Sequence, residues 1–292
     1  MSALAIALVL LSALFHAIRS LFTKESGDKQ VFLWLYSLFA LLLFAPLFFY
    51  FLLRDGITNP AAYAWCVGSG FIHFLYWIFL TESFQEGDLS HVYPIMRSSP
   101  ALVLLIAVLF LGEQVSLQGV AGILLVAAGV YIINMRRISG ADLMAPLKSI
   151  AHDRATQFAF LTLISVAFYS IVDKMAVAVL HPILFAVLHL FCGMCFYTPF
   201  ILLTKNAGMI RKEWHAGWMR IIMAGAIGIT GYALILVAFT IERVSYIVGL
   251  RQISIVFAVW MGSHLLKEKH RGIRLAGALI IFSGGFLISL AR

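Results

Sequence analysis

Charge is scarce in this chain. Only 12% of its 292 residues are charged, against 62% hydrophobic, where a soluble domain keeps about a quarter charged. With a mean hydropathy of +0.99, a water-soluble globule is excluded and a polytopic membrane protein is indicated. Long polar segments are missing too, so the formal net charge of +8 has no soluble surface on which to bind nucleic acid. Basic residues in short loops instead set topology and meet lipid headgroups. The cysteines, Cys66, Cys192 and Cys195, all lie in apolar runs and form no disulfide framework. Cys192 and Cys195 have redox spacing but no soluble βαβ context, and they read as small residues packing on a membrane helix. Metal-ligand spacing, a phosphate loop and a nucleophile elbow are all lacking. Neither a cofactor, a metal nor an enzymatic activity is therefore expected. The opening "MSALAIALVLLSALFHAIRS" has no basic stretch before its apolar run and reads as a retained first span.

What is present is a series of apolar runs, each near the roughly 20 residues that a membrane-spanning helix needs. They fall near 3–22, 31–53, 62–82, 89–111, 116–134, 157–177, 183–204, 217–240, 244–266 and 272–290. The expected fold is therefore an all-α integral membrane protein of ten transmembrane helices. The longest connection, around 135–156, divides it into 1–137, a connecting loop 138–156, and 157–292. The halves repeat: Phe84–Asn134 lies over Phe239–Ser289 without a gap. Ser99 then meets Ser254, Glu113 meets Glu268, and Gly122 and Gly129 meet Gly277 and Gly284. Five spans per half is an odd number, so the second five-helix repeat is expected to be inverted relative to the first, which is a transporter signature.

The stretches "YPIMRSSPALVLLIAVLFLGE" and "LQGVAGILLVAAGVYI", echoed by "SYIVGLRQISIVFAVWMGSHLLKEK" and "LAGALIIFSGGFLI", resemble the EamA-type repeat of the drug/metabolite transporter superfamily. The opening "LSALFHAIRSLFTKESGD" is similar to that family's first span, except that Ile18-Arg19 follows the His-Ala pair where Trp-Asn is common. The resemblance covers essentially the whole chain. It implies a carrier in the cell membrane, of the bacterial inner-membrane kind, with amino acids, sugars, phosphorylated metabolites, cations or drugs among the family's cargoes.

Candidate site residues follow from depth. Arg97 lies about eight residues, roughly 12 Å, into the fourth span, and Arg251 lies equally deep in the ninth. A guanidinium in hydrocarbon costs roughly 2.5–3.5 kcal/mol on insertion scales, so such residues mark function. Pro94, and its repeat partner Gly249, are expected to break the helix just before each arginine and to serve in gating. His16 and Arg19 in the first span join the substrate-binding candidates. So do His73, Tyr76 and Trp77, which share one face of the third span, and Tyr232, which aligns with Trp77. His189 reads as a hydrogen-bonded core histidine. Every carboxylate is expected in a loop or near a span end, and Asp173-Lys174 is read as interfacial anchoring.

These features lead to a secondary transporter of a small anionic or zwitterionic metabolite, such as an amino acid, organic acid or phosphonate or phosphate compound. The arginines would neutralise its acidic group. The alternatives are a flippase for an anionic lipid headgroup, or a drug/metabolite exporter of neutral or cationic compounds. Its partners would be the cargo, the bilayer and at most a second copy, the chain being a monomer or homodimer. Most lysines and arginines gather at the odd-numbered connections, with only Arg54, Lys174, Arg243 and Arg292 on the other side. The positive-inside rule then puts both termini outside, whereas the resemblance implies cytoplasmic termini.

Overall fold

The computed structural model describes residues 1–86, 95–133, 152–257, 260 and 271–291. Among these the chain is all-helical, with no strand: α1 (Ala3–Glu25), α2 (Lys29–Asp55), α3 (Ala61–Glu86), α4 (Ser99–Leu111), α5 (Leu117–Ile133), α6 (Arg154–Ala176), α7 (Pro182–Thr204), α8 (Ala207–Ile241), α9 (Val244–Arg251) and α10 (Arg271–Leu290). Six are long and apolar enough to cross a membrane, and Ile95–Leu111, Leu117–Ile132, Val244–Phe257 and Leu275–Leu290 are shorter apolar helical stretches. Large side chains such as Leu42, Leu53, Phe110, Leu117 and Leu203 point outward and are exposed. A soluble protein rarely tolerates so much exposed apolar surface; a bilayer solvates it.

Local chemistry sets most helix ends. Ser2 accepts from the Ala5 N–H, and Asp28 from those of Gln30 and Val31, as N-caps do. Gly112, at φ 64°, closes α4 in the left-handed conformation. The expected span 217–240 lies inside α8, which extends back to Ala207 through a kink at Gly217. The preceding turns carry exposed Arg211 and Lys212, and Trp214 stacks on Phe39 with ring centroids 5.3 Å apart.

Glycines decide the tightest crossing. A Cβ on Gly122 would stand 2.9 Å from the Gly284 carbonyl oxygen, and one on Gly129 2.9 Å from that of Gly277. These glycines let the α5 and α10 backbones touch, as small residues do in membranes. This pair packs on α4 and α9, while elsewhere α3 packs on α6 and α7, and α8 on α1 and α2. Cys192 meets α3 at Gly70, where an added Cβ would lie 2.7 Å from its own, so the cysteine acts as a packing residue.

One end of the bundle is tied by hydrogen bonds. The Glu113 carboxylate accepts from Val244 N at 2.6 Å and from Ser245 Oγ at 2.6 Å, capping α9. Lys174 donates to the carbonyls of Phe239 and Glu242 at the end of α8, the electronegative pole of that helix. At the other end Lys205 pairs with Asp28 at 2.7 Å and Arg220 with Glu25 at 3.1 Å.

The helix breaks differ from expectation. Pro94 lies outside the described residues. Gly249 is not a break: it sits within α9, where an added Cβ would meet Ile288 Cδ1 at 2.9 Å, so close packing is what requires its small size. The turns come instead just after each arginine. Ser98 N bonds to Ile95 O at 3.1 Å, and Gln252 N to Gly249 O at 3.2 Å. These three-residue bonds tighten the helix locally.

Candidate functional site

Thirteen residues into α1, roughly 20 Å along its axis, His16 faces two arginines. Arg19 Nη2 lies 3.0 Å from His16 Nδ1, and Arg97 Nη2 lies 2.9 Å from His16 Nε2. Arg19 is held further by Tyr36, donating to its hydroxyl at 3.2 Å and standing 5.7 Å over its ring. The helix turn before Ser98 brings Arg97 across to α1, 81 residues away in sequence. This cluster is cationic. A guanidinium only donates, and a neutral imidazole has a single bare nitrogen, so His16 accepts from one arginine and not from both.

A second cluster joins α3, α6 and α8. Asp173 is fully buried; its carboxylate accepts from Ser69 Oγ at 2.6 Å and from the Tyr232 hydroxyl. Tyr232 Oη also lies 3.3 Å from His73 Nε2. His73 stacks on Tyr169 with centroids 4.2 Å apart, and Tyr76 meets Tyr169 edge-on at 5.6 Å. This corrects the anchoring role expected of Asp173 and the expectation that no carboxylate lies deep in the membrane. Ser69 stands eight residues, roughly 12 Å, into α3, and α6 delivers Asp173 to that depth.

Arg251, at the end of α9, influences both clusters. Its charge acts on His16, Arg19 and Arg97 and also on His73, Tyr169, Tyr232 and Asp173. It makes no hydrogen bond or ion pair among the described residues. His16, Arg19, Arg97, Arg251, Tyr76 and Tyr232 are all partly accessible.

The structure thus brings together His16, Arg19 and Arg97, and separately His73, Tyr76 and Tyr232. Trp77 stands beside them as well: its ring, 7% exposed, lies 6.3 Å edge-on from that of His73 and packs 5.3 Å from Tyr197. His189 is the core histidine expected, its Nδ1 bonded to Phe185 O at 2.9 Å, yet its ring lies 4.7 Å from that of Tyr232. Asp173, Ser69 and Tyr169 were missed. A signal existed: Thr162, Ser165, Tyr169 and Asp173 recur at intervals of three and four along the sixth span, a polar stripe on one helix face, and all four are buried.

Comparison with known proteins agrees with this architecture. Residues 3–135, and again 154–290, match the sequence pattern of the EamA-like transporter family. Two bacterial proteins named "Multidrug resistance protein EbrB" are similar to part of the chain. That of Bacillus subtilis (strain 168) is 34% identical over 92 residues, which is 31% of this chain and 75% of the relative. That of Bacillus atrophaeus is 36% identical over 87 residues, 29% of this chain and 71% of its own. A protein of solved crystal structure, 16% identical, superposes with a TM-score of 0.72 over 98% of this chain and 97% of its own; at that identity the likeness concerns the fold.

Proposed function

This chain belongs to the EamA-like transporter family, and from that premise we propose a secondary carrier of small organic molecules that works by alternating access. Its halves, 1–137 and 157–292 joined by 138–156, are two five-helix repeats inserted upside down relative to one another, with the cargo bound near midplane between them. The cargo carries an anionic group, alone or within a zwitterion. The observation that carries this reading is the convergence of Arg19 and Arg97 on one imidazole, beside an Arg251 that no described residue bonds. A carboxylate or phosphate-like group accepts from such guanidinium groups through charge-assisted hydrogen bonds. A zwitterion also uses the buried Asp173 carboxylate as counter-charge for its cationic group.

A second reading is export of neutral or cationic drugs. The names of the two EbrB relatives weigh toward drug export more than toward an anionic metabolite, and the buried Asp173 gives a cation a counter-charge. Against a cation stand the arginines, whose repulsion is strong where water is excluded.

Thermal stabilisation of the purified protein by candidate compounds separates the two, because a ligand that binds the folded state raises its stability. Anionic or zwitterionic compounds should stabilise the wild type and lose that effect in Arg97→Gln. Stabilisation by a quaternary ammonium compound, lost in Asp173→Asn and kept in Arg97→Gln, would establish the second reading instead.

A further inference from the structure

We propose that Asp173, Tyr232 and His73 form a proton-binding site, a three-group relay within the membrane that takes up and releases one proton. The inference follows from counting hydrogens. His73 Nδ1 lies 2.9 Å from the Ser69 carbonyl oxygen, and a carbonyl only accepts, so Nδ1 carries a hydrogen. In a neutral ring Nε2 is then a bare acceptor, and it faces Tyr232 Oη at 3.3 Å. The same Oη lies against Asp173 Oδ2, while Asp173 Oδ1 is already served by Ser69 Oγ at 2.6 Å. Tyr232 has one hydroxyl hydrogen and two acceptors. With Asp173 ionised and His73 neutral, the chain is one hydrogen short.

One added proton completes it in either of two ways. Placed on Asp173, it is donated to Tyr232, whose own hydrogen turns to His73 Nε2. Placed on His73 Nε2, it is donated to Tyr232, whose hydrogen stays on the carboxylate. The two forms differ by a shift of hydrogens along the chain, so the proton belongs to the group as a whole. It comes from water and returns to water, by way of the partly accessible Tyr232; only O–H and N–H bonds form or break. Asp173 and His73 are buried, and an unpaired charge there is unfavourable, which makes completion of the chain the stabilising event.

The surroundings fit a proton better than a metal ion. Ser69 and Tyr232 present hydrogens to the carboxylate, and among the described residues no three His, Cys, Asp or Glu side chains gather to hold a metal. The groups facing the relay are Tyr169 on α6, Tyr76 and Cys66 on α3, His189 on α7 and Arg251 on α9. Arg97 and Arg19 act on Arg251, and Arg97 acts also on Tyr169. Protonation therefore changes by one the charge that Arg251 meets, linking the relay to the cationic cluster. For a carrier, which is the reading this rests on, that makes a proton the coupling ion.

Infrared difference spectroscopy of the purified full chain, taken between about pH 5 and 9, tests the relay without any cargo, so a failed cargo screen and a failed relay are separate results. The carboxyl and imidazole bands should titrate together with one midpoint. Asp173→Asn should abolish that titration. Tyr232→Phe, which keeps the ring and its packing, should split it into separate midpoints at least about one pH unit apart. Since the asparagine variant can fail to fold, the phenylalanine variant carries the test alone if it must. A wild-type spectrum with no joint titration, or Tyr232→Phe spectra identical to wild type, would overturn the proposal. So would a titration that appears only when sodium replaces choline, which would assign the site to a metal ion.

Discussion

The His16 imidazole meets the Arg97 guanidinium at 2.9 Å, joining the first helix to the turn before the fourth. Arg97 therefore does not simply reach for a nearby surface: it is held in the bundle against a group that Arg19 also addresses.

Replacing Arg97 or Arg251 with glutamine is expected to abolish transport, a loss of at least about tenfold, which corresponds to one charged hydrogen bond. Insertion and expression should be largely unchanged. Lysine should rescue poorly, because it lacks the planar bidentate fork. Uptake or efflux in intact cells, normalised to protein in the membrane, is the measurement. Near-normal transport by the double glutamine variant would remove both residues from the site.

Glu113 caps α9 through two backbone N–H groups and the Ser245 hydroxyl. Glu113→Ala should lower stability by about 1–2 kcal/mol, read as a drop in the thermal midpoint. Glu113→Gln, which still accepts, should lose less.

Asp28 provides a pH dependence outside the membrane spans. Burial alone would raise its pKa, but the Lys205 ammonium and the N–H groups of Val31 and Gln30 hold the carboxyl below its ordinary value. A carboxyl lowered on folding stabilises the fold above its unfolded pKa, near about 4, and that contribution fades as pH falls through the folded value. Lys205→Met should therefore cost about 1 kcal/mol or less at neutral pH, and the difference from wild type should shrink below about pH 4.

Membrane orientation follows from the charge distribution along the loops. Single cysteines introduced in the 135–156 connection should resist an impermeant thiol reagent in intact cells if the positive-inside rule governs. Ready labelling would put both termini in the cytoplasm.

Much of this was legible in the sequence. Apolar length located the helices, and the gapless match of Gly122 and Gly129 with Gly277 and Gly284 anticipated residues that meet face to face between α5 and α10. The depth of Arg97 and Arg251 singled out two arginines that are partly accessible in the structure, and His16 and Arg19, grouped from the first span, meet at 3.0 Å. Other expectations failed for identifiable reasons. Glycine at 249 suggested a break, but helix packing needed the small residue and the turn formed at Gln252. Trp77 does lie 6.3 Å from His73 as the spacing implied, but it is buried and packs also on Tyr197 of α7. Asp173, near the end of an apolar run and followed by a lysine, looked interfacial.

Hydropathy and backbone satisfaction in lipid are local, so the sequence by itself determined that the chain lives in a membrane and is built of helices. Which polar groups meet inside was decided only by tertiary structure. Asp173 finds Ser69 across 104 residues and Tyr232 across 59, and such pairings depend on how α3, α6 and α8 cross. A buried carboxylate has to be hydrogen-bonded, but nothing in its own helix says by whom.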